Sequence, residues 1–348
     1  MKHLIAVLAA LALALPAMAQ EGTLKKVKDS GSITIGHRDA SLPFSYYDDK
    51  QQPIGYAMDL CMKIVDAVKS ELKMSRLEVK YQLVTSANRI PLMANGTIDL
   101  ECGSTTNNIA RQEQVWFTMT HFVTANRWIA KKSSNIKSLA DLKGKTIVST
   151  AGTTNIKQIT EINAAQNLGM NIISANGHPE AFQMVETGRA VAFVMDDILL
   201  AGLAAQSRSP NDYEISADAL SVEPYGIMVR KDDKAFKAVA DKAMSNLYTS
   251  GQINAIYSKW FEKPVPPKGR DTPDSRATSS IFSVPSTLAA QNSARVPHSS
   301  TRAAQWTTWV ARSRSTASIV SRSPFTGRAP SLATASALLS ERAIASTS

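Results

Sequence analysis

Apolar positions along residues 24–268 change period again and again, and each change reads as a switch between strand and helix. Residues 32–36 (SITIG) alternate like a strand. Over residues 55–69, Met58, Cys61, Met62, Val65 and Val68 recur every three or four positions, which predicts a helix with one buried face. Residues 79–84 predict a strand, 90–94 a short helix ended by Asn95-Gly96, and 98–101 another strand. The alternation continues with a strand at 145–149, a helix at 156–165 and a strand at 171–174. A helix at 179–187 has Pro at its first position and Gly188 past its end. Residues 190–195 form an apolar strand feeding a helix from Asp197, and two closing helices follow at 234–248 and 252–261. Strands alternating with helices predict α/β units on mainly parallel sheets.

Both ends break this pattern. Lys2 and His3 precede an apolar run from Leu4 to Leu15, then Pro16 and the small-x-small triplet Ala17-Met18-Ala19. This is the pattern of a secretory signal peptide over residues 1–19, with cleavage expected after Ala19. The run is about a dozen residues, short for a bilayer span. Residues 269–348 carry nine Arg, no Lys and three acidic residues among many Ser, Ala and Thr, without a sustained period. That composition predicts a disordered tail. Because the pattern stops abruptly at Gly269 and Lys vanishes, out-of-frame translation is one explanation; a true nucleic-acid or surface-binding tail is its rival.

The chain of 348 residues has a formal charge of +10, which would suggest a nucleic-acid partner. About +6 of it lies in the tail, from nine Arg less Asp271, Asp274 and Glu341. The rest of the chain is only mildly basic, and no nucleic-acid partner is expected. Two cysteines exclude a disulfide-dense scaffold and a four-cysteine zinc site. In an oxidising compartment Cys61 and Cys102 could pair or stay as buried thiols; the sequence leaves both open.

Motifs for common chemistries are missing. No GxGxxG opens a helix, there is no HExxH or GxSxG, and Gly144-Lys145-Thr146 lacks the P-loop's upstream glycine, since Leu139 stands there. No His, Cys and carboxylate cluster has metal-ligand spacing, and neither a metal nor a cofactor is expected. What remains is small polar residues at strand ends beside isolated arginines. Gly103, Ser104, Thr105 and Thr106 follow a strand, and Arg111 could fork onto a carboxylate. Gly103 would let backbone approach a ligand. The same spacing suits a turn followed by a surface arginine. Ala151-Gly152-Thr153-Thr154 could offer N–H groups to an anion, or could be a turn with a capping threonine. Asp196 ends an apolar strand, where α/β sheets place ligands, and Asp197 reads as a helix cap. Arg38, Ser86 and Arg89 follow other strands, and His178 precedes a helix. Trp260 and Phe261 read as an apolar lock.

Taken together, GHRDASLPFSYYDDKQQPIGYAMDLC (36–61), TSANRIPLMANGTIDLECGSTTNNIARQEQ (85–114), LKGKTIVSTAGTT (142–154) and ETGRAVAFVMDDILLAG (186–202) resemble the periplasmic glutamate/aspartate-binding proteins of ABC amino-acid importers, solute-binding protein family 3. The resemblance spans residues 24–268. It implies an α/β fold of the type II periplasmic binding protein kind, two α/β lobes joined by two crossing strands. Lobe 1 would be 24–124 plus 226–268, lobe 2 129–221, with crossings near 124–128 and 222–225. It implies a periplasmic monomer that closes on an acidic amino acid and docks on a membrane permease. Arg111 with Ser104 and Thr106 would clamp the α-carboxylate, and Asp196 would take the α-ammonium. Arg38, Ser86, Arg89 and His178 would hold the side-chain carboxylate, and Thr154 would add a hydroxyl. Three arginines, a histidine and one aspartate would thus meet two carboxylates and one ammonium. The chain departs from the family at Ala125-Asn126-Arg127, where Gly-Thr-Arg is common, at Ile227, where many relatives have Cys, and after Gly269. The alternative is an enzyme on the same fold, a cyclohexadienyl dehydratase-like protein, although no acid/base pair beyond Asp196 and His178 is in view.

Overall fold

A computed structural model describes residues 22–262. The expected signal peptide at 1–19 and the tail at 269–348 lie outside the described residues. The described chain opens with α1 (Thr23–Ser30) and β1 (Ser32–His37). Three short strands follow: β2 (Ala40–Ser41), β3 (Ser45–Tyr47) and β4 (Pro53–Ile54). Next come α2 (Tyr56–Glu71), β5 (Glu78–Leu83), α3 (Arg89–Ala94), β6 (Leu100–Glu101), α4 (Ile109–Gln112) and β7 (Val115–Phe117). The long β8 (Phe122–Lys131) leads to β9 (Thr146–Thr150), α5 (Thr154–Ala165), β10 (Asn171–Ala175), α6 (His178–Glu186), β11 (Ala192–Asp196) and α7 (Asp197–Gln206). The described chain closes with β12 (Tyr213–Ile215), β13 (Ser221–Tyr225), β14 (Met228–Arg230), α8 (Lys234–Thr249) and α9 (Gln252–Phe261).

Two large sheets organise most of these elements, and β2, β3 and β4 pair in a small third one. One large sheet has the order β5-β1-β6-β14-β7, the other β10-β9-β11-β8-β12 with β13 also on β8. Each is the sheet of one α/β lobe. The strands β5, β1 and β6 run parallel, as do β10, β9 and β11. The expectation of mainly parallel sheets holds only for these halves. The strands β14, β7, β8, β12 and β13 pair antiparallel, so both sheets are mixed. The cause is the crossing between lobes: β8 carries the chain into the second lobe and β13 carries it back, paired from Ser221↔Asn126 to Tyr225↔Phe122. Short strands of two or three residues, and α1, were not legible from apolar period, which needs a longer window.

Packing explains why the long elements form where they do. In α2, Leu60, Cys61, Ile64, Val65 and Val68 are buried, an i, i+3, i+4 stripe facing the first lobe's core. In α7 nearly every apolar residue from Ile198 to Ala205 is buried, and the helix packs on β8 and β11. Trp128, Ile147, Ile159, Ala192 and Val194 fill the second lobe on the other side of its sheet. The closing helix brings Phe261 onto Phe122, with ring centroids 4.9 Å apart, and Trp260 onto Tyr46 at 6.1 Å. Phe122 begins the first crossing strand, so this aromatic lock fixes one end of the connection between lobes.

Cys61 on α2 and Cys102, just past β6, form a disulfide with Cα atoms 6.2 Å apart across a sequence separation of 41. The link ties the helix to the strand end that carries Ser104 and Thr106. Replacing both cysteines by alanine is expected to lower the unfolding free energy by about 4 kcal/mol, the chain-entropy value for a loop of that length. Urea titration of the oxidised protein and the double variant measures it, and a difference under about 1 kcal/mol would show that the link adds little constraint.

Candidate functional site

The polar residues expected at the site cluster at the carboxyl ends of strands or in the helices that follow them. Arg38 follows β1, Ser86 and Arg89 follow β5, and Ser104 and Thr106 follow β6, with Arg111 in α4. From the other lobe, Thr154 opens α5 after β9, His178 opens α6 after β10, and Asp196 is the last residue of β11. That end of an α/β sheet is where the chain turns and side chains can converge. A cleft of about 210 Å³, part of it open to solvent, lies between the two sets. Ser86, Arg89, Ser104, Thr106, Thr154, His178 and Asp196 line it, with Thr153, Asn155, Met195 and Leu199. Arg38 and Arg111 stand outside this lining. Arg38 reaches His178, Nη2 to Nε2 3.4 Å, and Arg111 donates to the Thr106 carbonyl at 2.9 Å and the Gly152 carbonyl at 3.3 Å.

Three of these contacts run between lobes: Arg38 to His178, Arg111 to Gly152, and Gly152 against Ala87. A methyl at Gly152 would fall 2.5 Å from the Ala87 Cα and 2.7 Å from the Ser86 carbonyl oxygen, and its φ is +73°. Glycine is needed there so that one lobe's backbone can seat on the other's. Beside it, Thr153 caps α5, its Oγ1 accepting from the Ile156 N–H at 3.2 Å.

The arginines are buried cations with spare donors. Arg38 is only 2% exposed, and its Nε and Nη1 have no hydrogen-bond partner among the described residues. Arg89 gives Nη1 to Thr105 Oγ1 at 2.6 Å, and its Nε is likewise unpartnered. Burial lowers all three pKa values, with Arg38 and Arg111 brought to about 10 by burial and then by the charge of Arg89. All three stay charged at neutral pH. Unpartnered N–H groups on a buried cation cost free energy until an acceptor meets them.

His178 does not join them as a cation. Burial, then Arg38 and Arg89, push its pKa well below the usual histidine range. The expected tally of three arginines and a histidine therefore loses the histidine's charge. Because Arg38 can only donate, Nε2 of His178 accepts, and Nδ1 carries the proton toward Thr150 Oγ1 at 2.9 Å.

Asp196 is held by two donors: Asn155 Nδ2 reaches Oδ1 at 2.8 Å and the Tyr225 hydroxyl donates to Oδ2. Burial, then repulsion from Glu223, raise its pKa to about 7 against those two hydrogen bonds. The expected helix cap at Asp197 is corrected. Asp196 occupies the cap position without a side-chain cap bond, and the Asp197 carboxylate instead takes Arg127 Nε at 3.0 Å and the Thr124 hydroxyl, both on β8. The reading of Gly103 also changes, because a methyl there would come 2.3 Å from Glu101 Oε1. The glycine makes room for a neighbouring carboxylate.

Sequence reasoning missed Asn155, Tyr225 and Glu101. Glu101 left one signal, an acid ending a short apolar strand. Tyr225 left none, since its role depends on a strand returning from about 100 residues away.

The family model for bacterial extracellular solute-binding proteins, family 3, matches residues 33–263. The chain is 54% identical over 267 residues to the L-glutamate/L-aspartate-binding protein of Pseudomonas aeruginosa, covering 76% of this chain and 88% of that protein. It is 47% identical over 252 residues to the glutamate/aspartate import solute-binding protein of Escherichia coli, covering 72% and 83%. Among solved structures, an ancestral arginine-binding protein bound to arginine is similar, with a TM-score of 0.60, 27% identity, and coverage of 66% of this chain and 98% of that one.

The raised pKa of Asp196 has a consequence for stability. Between about pH 4 and pH 7 the folded protein holds a proton there that the unfolded chain has released, so stability falls as pH rises through that window. Asp196→Asn removes this penalty, whose upper bound is about 4 kcal/mol for a shift of that size. Without added ligand the variant is expected to melt higher than wild type at pH 8 and by a smaller margin at pH 4.5. Equal margins by calorimetry would show that burial of the Asp196 charge is not costly.

Proposed function

The chain belongs to family 3 of the bacterial extracellular solute-binding proteins, and on that premise we propose that it captures L-glutamate or L-aspartate between its lobes and delivers it to the membrane permease of an ABC importer. It is a periplasmic binding protein and not an enzyme; relatives named for binding and import do not favour the dehydratase-like alternative. Residues 1–19 would direct export and be removed by cleavage after Ala19, and the protein would act as a monomer.

One observation carries the acidic preference. Arg38 and Arg89 are buried with unpartnered guanidinium N–H groups, opposite the buried Asp196 of the other lobe. Such an arrangement is met by a ligand with carboxylates at one side and an ammonium at the other. In this reading Arg111, Ser104 and Thr106 take the α-carboxylate, Asp196 the α-ammonium, and Thr154 adds a hydroxyl. Arg38, Ser86, Arg89 and His178 surround the side-chain carboxylate. Ser86 Oγ is buried and without a partner among the described residues, ready to donate. Neutral His178 orients Arg38 by accepting at Nε2 from Nη2.

Ligand favours closure because neither lobe satisfies it alone. The moving bodies would be residues 24–124 with 226–268, and residues 129–221. The seat of Gly152 on Ser86 and Ala87 and the bond from Arg111 to the Gly152 carbonyl would form as the lobes meet.

Titration calorimetry with L-glutamate, L-aspartate and L-glutamine tests the reading. The two acids are expected to bind, glutamine much more weakly, and Arg89→Ala to weaken acid binding about tenfold or more, the loss of a charge-assisted bond. Equal affinity for glutamine would defeat the dicarboxylate assignment. The same apparatus reads the role of Asp196. An ammonium beside it favours the ionised carboxylate, so binding near pH 7 should release a fraction of a proton, and affinity should fall as pH drops below about 7. Binding heats independent of the buffer's ionisation enthalpy at pH 7 would separate Asp196 from the ammonium.

A further inference from the structure

Behind the arginines stands a carboxylate that is not part of the cleft lining. Glu101 ends β6 and is fully buried. Its Oε2 accepts from the Thr105 hydroxyl at 2.6 Å, and the same hydroxyl oxygen accepts from Arg89 Nη1 at 2.6 Å. Its Oε1 lies 3.9 Å from Arg89 Nη1 and has no hydrogen-bond partner among the described residues. The missing methyl of Gly103 would stand 2.3 Å from that oxygen and 3.0 Å from Arg38 Cγ, so the carboxylate is wedged where the stem of Arg38 passes. Its charge acts on Arg38, Arg89 and Arg111 alike. Asp196 acts on Arg89 and Arg111, and Glu223 on Arg111. Glu101 is therefore the acid shared by the whole arginine cluster.

We propose that Glu101 is a specificity-determining residue, a built-in counter-ion that cancels part of the arginine charge and so sets how strongly the site prefers a dicarboxylate over a neutral amino acid. The inference rests on the acidic amino-acid reading of the cleft. Two opposed effects follow from the position of the charge. Three buried guanidinium groups repel one another, and a permanent anion behind them lowers the cost of keeping them together before ligand arrives. The same anion repels the carboxylates of an arriving ligand through a low-dielectric interior. Glutamine, whose side chain carries no charge, feels this repulsion only at its α-carboxylate, where its own ammonium offsets it.

The substitution that tests this is Glu101→Gln, which removes the charge and keeps an oxygen for the Thr105 hydroxyl. Wild type and variant are titrated with L-glutamate, L-aspartate and L-glutamine, beside Thr105→Val, which cuts the hydrogen-bonded relay and leaves the charge. Glu101→Gln is expected to melt lower without ligand, to bind both acids about tenfold more tightly, and to bind glutamine within about twofold of wild type. Thr105→Val should leave the ratio of glutamate to glutamine affinity within about twofold of wild type. If all three ligands shift together, if the acids weaken, or if Thr105→Val moves the ratio as far as Glu101→Gln, the counter-ion proposal is overturned. Should Glu101→Gln not fold alone, it is refolded with each amino acid; rescue by glutamate and not by glutamine supports the proposal, and equal rescue or none overturns it. A wild type without acidic preference sinks the reading of the site itself, which separates the two failures.

Discussion

Positive charge held out of water is the constraint on which this molecule depends. Arg38, Arg89 and Arg111 are buried at the edge of one lobe, and Arg38 and Arg89 keep donors that the described residues do not satisfy. A buried guanidinium must be paired, and here the pairing is shared between a fixed anion, Glu101, and whatever enters the cleft. Much of the local structure serves that arrangement. Gly103 leaves space for the Glu101 carboxylate, Thr105 joins it to Arg89, and His178 is kept neutral by burial and then by the charges of Arg38 and Arg89.

The opposite lobe answers with one carboxylate that is tied to both crossing strands. The Tyr225 hydroxyl, from β13, holds one oxygen of Asp196. Asn155 holds the other and also donates to Asn126 on β8 at 2.8 Å. Its neighbour Asp197 grips β8 through Arg127 and Thr124. Two adjacent acids thus anchor the second lobe to the strands that join it to the first. The Asn126 amide continues the network to Gln158 Oε1 at 2.7 Å. The strands that join the lobes are therefore laced to the cleft-lining residues by side chains as well as by backbone pairing.

Long-range pairing explains what could be read early and what could not. The longer helices and most of the parallel strands announced themselves by period, because they bury apolar positions against a core, although β5 is almost wholly exposed. The arginines and Asp196 were found as polar residues at strand ends, a place defined by local sequence. Their convergence came from the resemblance of long motifs, not from spacing. Glu101 and Tyr225 escaped because local sequence marks them weakly or not at all: an acid at a strand end is commonly solvated, and a tyrosine on a short strand is commonly core.

By itself the sequence determined the α/β alternation, the export-signal pattern at the amino end, the division of charge between a mildly basic main part and an arginine-bearing tail, and the set of polar residues at strand ends. Those properties are local or compositional, and a window of a few residues to a few tens of residues contains them. Only the tertiary structure decided that Cys61 and Cys102 are joined, that the sheets are mixed, that His178 is neutral, that Asp197 braces a strand between the lobes and that Glu101 underlies three arginines. Each of these depends on distance through space and on the loss of water around a charge. Neither quantity is carried by the order of residues until the chain has folded.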